Sequence, residues 1–185
     1  MTTESFGPSA LATPANALTL ARVLATPVVL AMVLGGGPTW PAVAVWFLIS
    51  MTDVVDGVVA RRQGATRSGA FFDPLADKVV VLAMMVALVA KHRLWWLPVA
   101  LITLREVAMS GYRSWVARRG VSVPARPSAK IKTVVQSLAV GMALAPLDAR
   151  GYRASAAALL WVAVALTVLT GAQYLLDGRR VVRAP

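Results

Sequence analysis

The sequence predicts an all-α membrane protein of six transmembrane helices with both termini on the cytoplasmic side. Three observations predict it. The 185 residues are 58% hydrophobic, where a soluble domain has ~45–50% apolar residues, and mean hydropathy is +0.68. The apolar residues fall into six runs, each near the ~20 residues that a helix needs to cross a bilayer. Lys and Arg are unequally shared between the turns: fourteen fall on the N-terminal side of those spans, and four (Lys91, Arg93, Arg150 and Arg153) on the other. An excess of positive charge marks the cytoplasmic face.

Composition also removes whole classes of chemistry. There is no cysteine, so neither a disulfide nor a thiolate metal site can form. His92 is the single histidine, so a zinc centre or a histidine-based triad is close to excluded. The net charge of +11 fits membrane topology, anionic head groups and an anionic substrate. Nucleic-acid binding does not fit, because the basic residues are scattered between spans.

Residues 1–15 carry one charge, Glu4, and are expected to form a mobile or interfacial tail. The first span is Asn16 to Leu34, with Arg22 near its start as either a snorkelling anchor or a substrate contact. The run Gly35 to Thr39 is a turn. Trp40 to Val59 is the second span, with Trp40 and Trp46 toward the outer side. Arg61 to Ser68 reads as a short basic loop whose N–H groups and cations suit phosphates. Gly69 to Ala90 is the third span, and Leu94 to about Val116 the fourth, opened by Trp95 and Trp96. Arg105 and Glu106 lie in the middle of the fourth. Such a pair facing lipid is costly, so it must face protein or a polar cavity. The fifth span follows Lys130 and Lys132 and ends near Leu147. Those two lysines diverge by ~200° on a helix, so one enters the cavity and the other anchors at the head groups. Asp148 to Arg153 is an outer loop, and Ala154 to Leu176 a packing span. The membrane domain is thus 16–178, followed by a basic tail, 179–185.

The stretch that carries chemistry runs from Asp53 to Asp77. It holds Asp53, Asp56, Asp73 and Asp77, four of the eight acidic residues of the chain. One Asp near the centre of a bilayer helix costs ~2.5–3.5 kcal/mol, and a bound cation compensates four together. Asp53 and Asp56 are three apart and Asp73 and Asp77 four apart, so each pair shares a helix face. Four carboxylates make an oxygen site for hard cations, Mg²⁺ or Mn²⁺. Gly57 leaves the backbone beside Asp56 open to a bulky ligand.

Asp53-x2-Asp56-Gly57-x2-Ala60-Arg61, then Gly69-x3-Asp73-x3-Asp77, resembles the signature of the CDP-alcohol phosphotransferases. The interval from Arg61 to Gly69 is shorter than the family's usual one. The resemblance implies transfer of a phosphatidyl or similar group from a CDP carrier to an alcohol inside a membrane. It implies that Gly57, Arg61 and Thr66 touch the CDP part of the donor. It also implies that Asp77 takes the proton of the attacking hydroxyl in addition to holding metal, and that the protein is a homodimer. Two Mg²⁺ ions per site would bridge the pyrophosphate.

Three further runs resemble the phosphatidylglycerophosphate synthase branch: Asn16-x-Leu18-Thr19-x-x-Arg22, Arg105-Glu106, and Lys130-x-Lys132-Thr133-x-x-Gln136. They imply CDP-diacylglycerol as donor and sn-glycerol 3-phosphate as acceptor, with Arg105, Lys130 and Lys132 holding the acceptor phosphate. Phosphatidylglycerophosphate and CMP would be the products, made on the cytoplasmic side of a bacterial cell membrane. Inositol phosphate, serine or phosphatidylglycerol are the alternative acceptors. A divalent-cation transporter is the alternative from another class, since intramembrane carboxylates also line ion pathways. Against it, the acids cluster in one helix pair with no counterpart in the last two spans.

Overall fold

Each apolar run folds as a helix. The computed structural model describes residues 14–63, 69–118 and 127–183, with side chains described over 20–52, 78–112 and 131–173. The helices are α1 (Pro14–Gly36), α2 (Trp40–Gln63), α3 (Gly69–Ala90), α4 (Trp96–Arg118), α5 (Pro127–Leu144) and α6 (Arg150–Arg183). No strand occurs among the described residues. α1 packs against α2 and α3, and α5 against α2, α3 and α6, while α4 closes the bundle against α3 and α6.

Three expected boundaries move. Arg61 and Arg62 belong to α2, not to a loop. Arg150 to Arg153 open α6, and that helix runs on through the expected basic tail to Arg183. Arginine is a good helix former, so hydropathy ends before the hydrogen-bonded helix does. Gly37, at φ 81°, makes the turn between α1 and α2 where a side chain would be strained.

The bundle is apolar outside, and its apolar core encloses a few polar side chains. Leu101, Leu104 and Val107 of α4, Val134 and Leu138 of α5, and Val168 and Leu169 of α6 are exposed. Arg22, Glu106, Lys132, Gln136, Thr167 and Thr170 are buried, alongside core residues such as Met84, Met85, Leu88 and Ile102. Charged residues inside and large apolar ones outside depart from the usual distribution of a water-soluble protein. Among the described residues, Arg150–Gln173 is the one segment long and apolar enough to cross a membrane by length and composition.

Trp46 is a core residue, buried with Ala42 and Ile49 on one face of α2. Its Nε1 donates to the Ser137 carbonyl of α5 at 3.0 Å. Spacings of four and three residues place all three on the inner stripe. Trp40, Trp95 and Trp96 are exposed, as expected of interface residues.

At the end of the bundle away from the Asp residues, Arg93 ties α3 to the α5–α6 turn. α3 stops where His92 adopts a φ of 55° and the Arg93 N–H reaches back to the Leu88 carbonyl at 2.9 Å, a left-handed cap. The Arg93 guanidinium donates to the Ala143, Ala145 and Leu147 carbonyls at 3.3, 2.6 and 3.2 Å and pairs with Asp148. Arg93→Ala should lower stability by about 2 kcal/mol, the worth of losing charge-assisted hydrogen bonds. Thermal unfolding in detergent reads this. An unfolding midpoint equal to wild type would make the tie irrelevant.

Candidate functional site

The helical backbone carries the acidic stretch as its spacing requires. α2 stays helical through Asp53, Asp56, Gly57 and Arg61, and α3 is helical through Asp73 and Asp77. Each Asp pair is therefore presented from one helix face. The side chains of these residues, and of Lys130, lie outside the described ones, as does the whole of Thr66. The donor set is carboxylate oxygen only, which fits a hard divalent cation and no soft one.

The side chains that are described form a cluster that starts one residue after Asp77. Lys78, the next residue of α3, places its Nζ 3.4 Å from Glu106 Oε2 and donates to Ser110 Oγ at 2.8 Å. Arg105 Nη1 donates to Glu106 Oε1 at 2.8 Å. Lys132 of α5 donates to the same Oε1. Arg105 Nη2 crosses to α6 and donates to Thr170 Oγ1 at 3.0 Å. A buried carboxylate thus gathers three cations from α3, α4 and α5, and α6 completes the ring. Three positive groups facing one negative leave a surplus of two positive charges among the described residues.

The register of the helices explains why these groups meet. Val99, Ile102, Glu106 and Met109 are buried along α4, at spacings of three and four. Lys132, Gln136, Ala139, Val140 and Ala143 are among the buried positions of α5. Gln136 Nε2 donates to Thr167 Oγ1 of α6 at 3.1 Å, one turn deeper than the Lys132–Glu106 pair. A polar seam therefore runs along the α4–α5–α6 contact. Lys132 is the lysine that turns inward, which fixes half of the expected divergence of Lys130 and Lys132.

Arg22 is buried and lines a cavity of about 20 Å³ with Ser50, Thr133 and Ser137. It is therefore not a snorkelling anchor. Ser50 is one residue short of a turn before Asp53 on α2, so the cavity adjoins the acidic stretch. Its volume admits about one water.

The sequence reading anticipated Arg105 and Lys132 but missed two members. Lys78 counted only as an inside-positive charge, although it directly follows Asp77. Thr170 lay in a span read as packing alone. The signal was there: Thr167 and Thr170 share one face of an otherwise apolar helix. Glu106 had been a partner for Arg105 and is instead the anion of the whole cluster.

Comparison with known proteins gives the family. The model of the CDP-alcohol phosphatidyltransferase family matches residues 12–169. The chain belongs to that family. It is 39% identical over 175 residues to a probable phosphatidylglycerophosphate synthase of Mycobacterium tuberculosis strain H37Rv, covering 91% of this chain and 82% of the relative. It is 37% identical over 171 residues to the CDP-diacylglycerol–glycerol-3-phosphate 3-phosphatidyltransferase of Escherichia coli K12, covering 88% and 92%. The protein of the same name in Rickettsia felis is 35% identical over 170 residues, covering 86% and 91%. Membership in a phosphatidyltransferase family sets the cation-transporter alternative aside. The matched region spans α1 to most of α6, so both the acidic stretch and the cation cluster fall inside it.

Proposed function

We propose that this phosphatidyltransferase moves the phosphatidyl group of CDP-diacylglycerol to sn-glycerol 3-phosphate, releasing CMP and forming phosphatidylglycerophosphate. Relatives named for that reaction, similar over most of both chains, support it. The observation on the molecule that carries it is the surplus of positive charge around Glu106 among the described residues. A phosphate monoester brings about −1.5 to −2 charges at neutral pH, which complements that surplus. Serine, which brings no phosphate, would not need it.

Lys78 and Asp77 are consecutive, so their Cα atoms lie ~3.8 Å apart. Phosphate bound by Arg105, Lys132 and Lys78 would bring the glycerol hydroxyl toward Asp77. Asp77 accepts the hydroxyl proton as the oxygen attacks the donor's β-phosphorus, next to the diacylglycerol, and CMP leaves with the α-phosphate. Lys130 adds a further cation at the entrance to α5. Gly57, Arg61 and Thr66 hold the cytidine and pyrophosphate side of the donor. Asp53, Asp56, Asp73 and Asp77 would hold two divalent cations, Mg²⁺ in preference to Mn²⁺. Bound there, they supply Lewis-acid neutralisation of the pyrophosphate charge.

The apolar exterior supports six membrane spans with both termini cytoplasmic, and a homodimer is the assembly we infer from the family. CDP-diacylglycerol then enters sideways, tails in lipid and head group in the polar interior. CMP release by the purified protein in detergent tests the reaction. With donor and Mg²⁺ held fixed, glycerol 3-phosphate should support turnover, while serine, which brings no phosphate, should give less than about a hundredth of it, the discrimination of a site that loses a buried charge pairing; inositol phosphate and phosphatidylglycerol should give less turnover than glycerol 3-phosphate. Turnover led by another acceptor would overturn the assignment.

A further inference from the structure

Arg105 is held from a direction that the sequence reading left out. Its Nη2 donates to Thr170 Oγ1 at 3.0 Å. That hydroxyl gives its own proton to the Leu166 carbonyl at 2.7 Å, so toward Arg105 it can only accept. The next residue, Gly171, lies against the stem of the same guanidinium. A Cβ on Gly171 would stand 3.0 Å from Arg105 Nε, 3.6 Å from Nη2 and 3.7 Å from Cγ. The first contact is closer than ordinary packing allows. Arg105 cannot simply swing away, because Nη1 is committed to Glu106 and Nη2 to Thr170. A few tenths of an ångström at Nε would have to come out of one of those two bonds.

We infer that Thr170 and Gly171 of α6 are positioning residues for the acceptor site: the glycine makes room for the guanidinium and the threonine sets its rotation. The inference rests on the reading of Arg105 as an acceptor-phosphate ligand. It gives α6, otherwise a packing helix, a part in substrate affinity. Planar guanidinium groups recognise phosphate through paired donors of fixed direction, so a small rotation weakens binding without removing the charge.

The test is acceptor kinetics on full-length protein in detergent, read as CMP release. Gly171→Ala and Thr170→Val should each raise KM for glycerol 3-phosphate about tenfold, the loss of a well-directed charged hydrogen bond. Both should leave kcat within about twofold and the KM for CDP-diacylglycerol unchanged. Thr170→Ser, which keeps the acceptor oxygen, should restore the wild-type value. In an Arg105→Ala background, Gly171→Ala should add no further rise, because it acts through a side chain no longer there. An additive effect in that background, or an unchanged acceptor KM in both single variants, overturns the inference.

A second readout needs no turnover. Inorganic phosphate and glycerol 3-phosphate should raise the unfolding midpoint of the wild type by mass action, and raise that of Gly171→Ala less at equal concentration. Equal protection in both would also overturn it. If the wild type is protected but releases CMP with a different acceptor, the acceptor assignment fails while the positioning role stands.

Discussion

Asp77→Asn should lower kcat for CMP release by about 10³-fold or more. General-base transfer by a positioned side chain contributes ~10²–10⁴-fold, and Asn, equal in shape, can neither take a proton nor balance a cation's charge. The substitution separates the two roles proposed for this one carboxylate. Were Asp77 a metal ligand alone, raising Mg²⁺ would recover much of the rate, because weakened binding yields to mass action. Loss of the base is not recoverable in that way. We therefore expect Asp77→Asn to stay inactive across a Mg²⁺ titration. Asp53→Asn should instead shift the Mg²⁺ requirement upward and regain activity at the top of the range. Recovery of Asp77→Asn at high Mg²⁺ would remove the proton-transfer role and leave the residue as a ligand.

The acidic stretch was legible because its chemistry is local. Spacings of three and four place carboxylates on a helix face whatever the rest of the fold does, and α2 and α3 are helical where those spacings required. The six helices were legible for a related reason: each is an apolar run bounded by turn residues. Their ends were less so. Arg61 and Arg62, and the basic residues up to Arg183, continue helices because hydropathy scores compatibility with lipid, whereas the backbone needs only its own hydrogen bonds.

Inward and outward faces were the harder problem. In a soluble helix the apolar stripe faces the core, but here both faces are apolar and the stripe is marked by its exceptions. Glu106, Lys132, Gln136, Thr167 and Thr170 all fall on buried positions. Trp46 shows the same limit: only the partner helix reveals that its indole N–H is spent on Ser137. Lys78 could not have been assigned from its own neighbourhood, since its partners Glu106 and Ser110 come from another helix.

Glu106→Gln should be the most destabilising single change in the described bundle, at about 3–5 kcal/mol. That is the usual cost of removing one partner of a buried ion pair, because the other is left charged and uncompensated. Here three cations are left, not one. Glutamine can still accept from a single donor through its carbonyl oxygen, but its amide group would point N–H at Lys78 or Lys132, donor against donor. The loss should appear as a lower unfolding midpoint in detergent. The same argument gives a sharper expectation. With the carboxylate gone, three positive charges lose the anion they share among the described residues, so a phosphate ligand becomes its replacement counter-ion. Inorganic phosphate should therefore stabilise Glu106→Gln more than it stabilises the wild type. Glu106→Gln combined with Lys132→Met should recover part of the stability, since it removes a charge together with its lost partner. A variant as stable as wild type would mean that water already screens this cluster, and the polar seam would then be an open channel rather than a buried one.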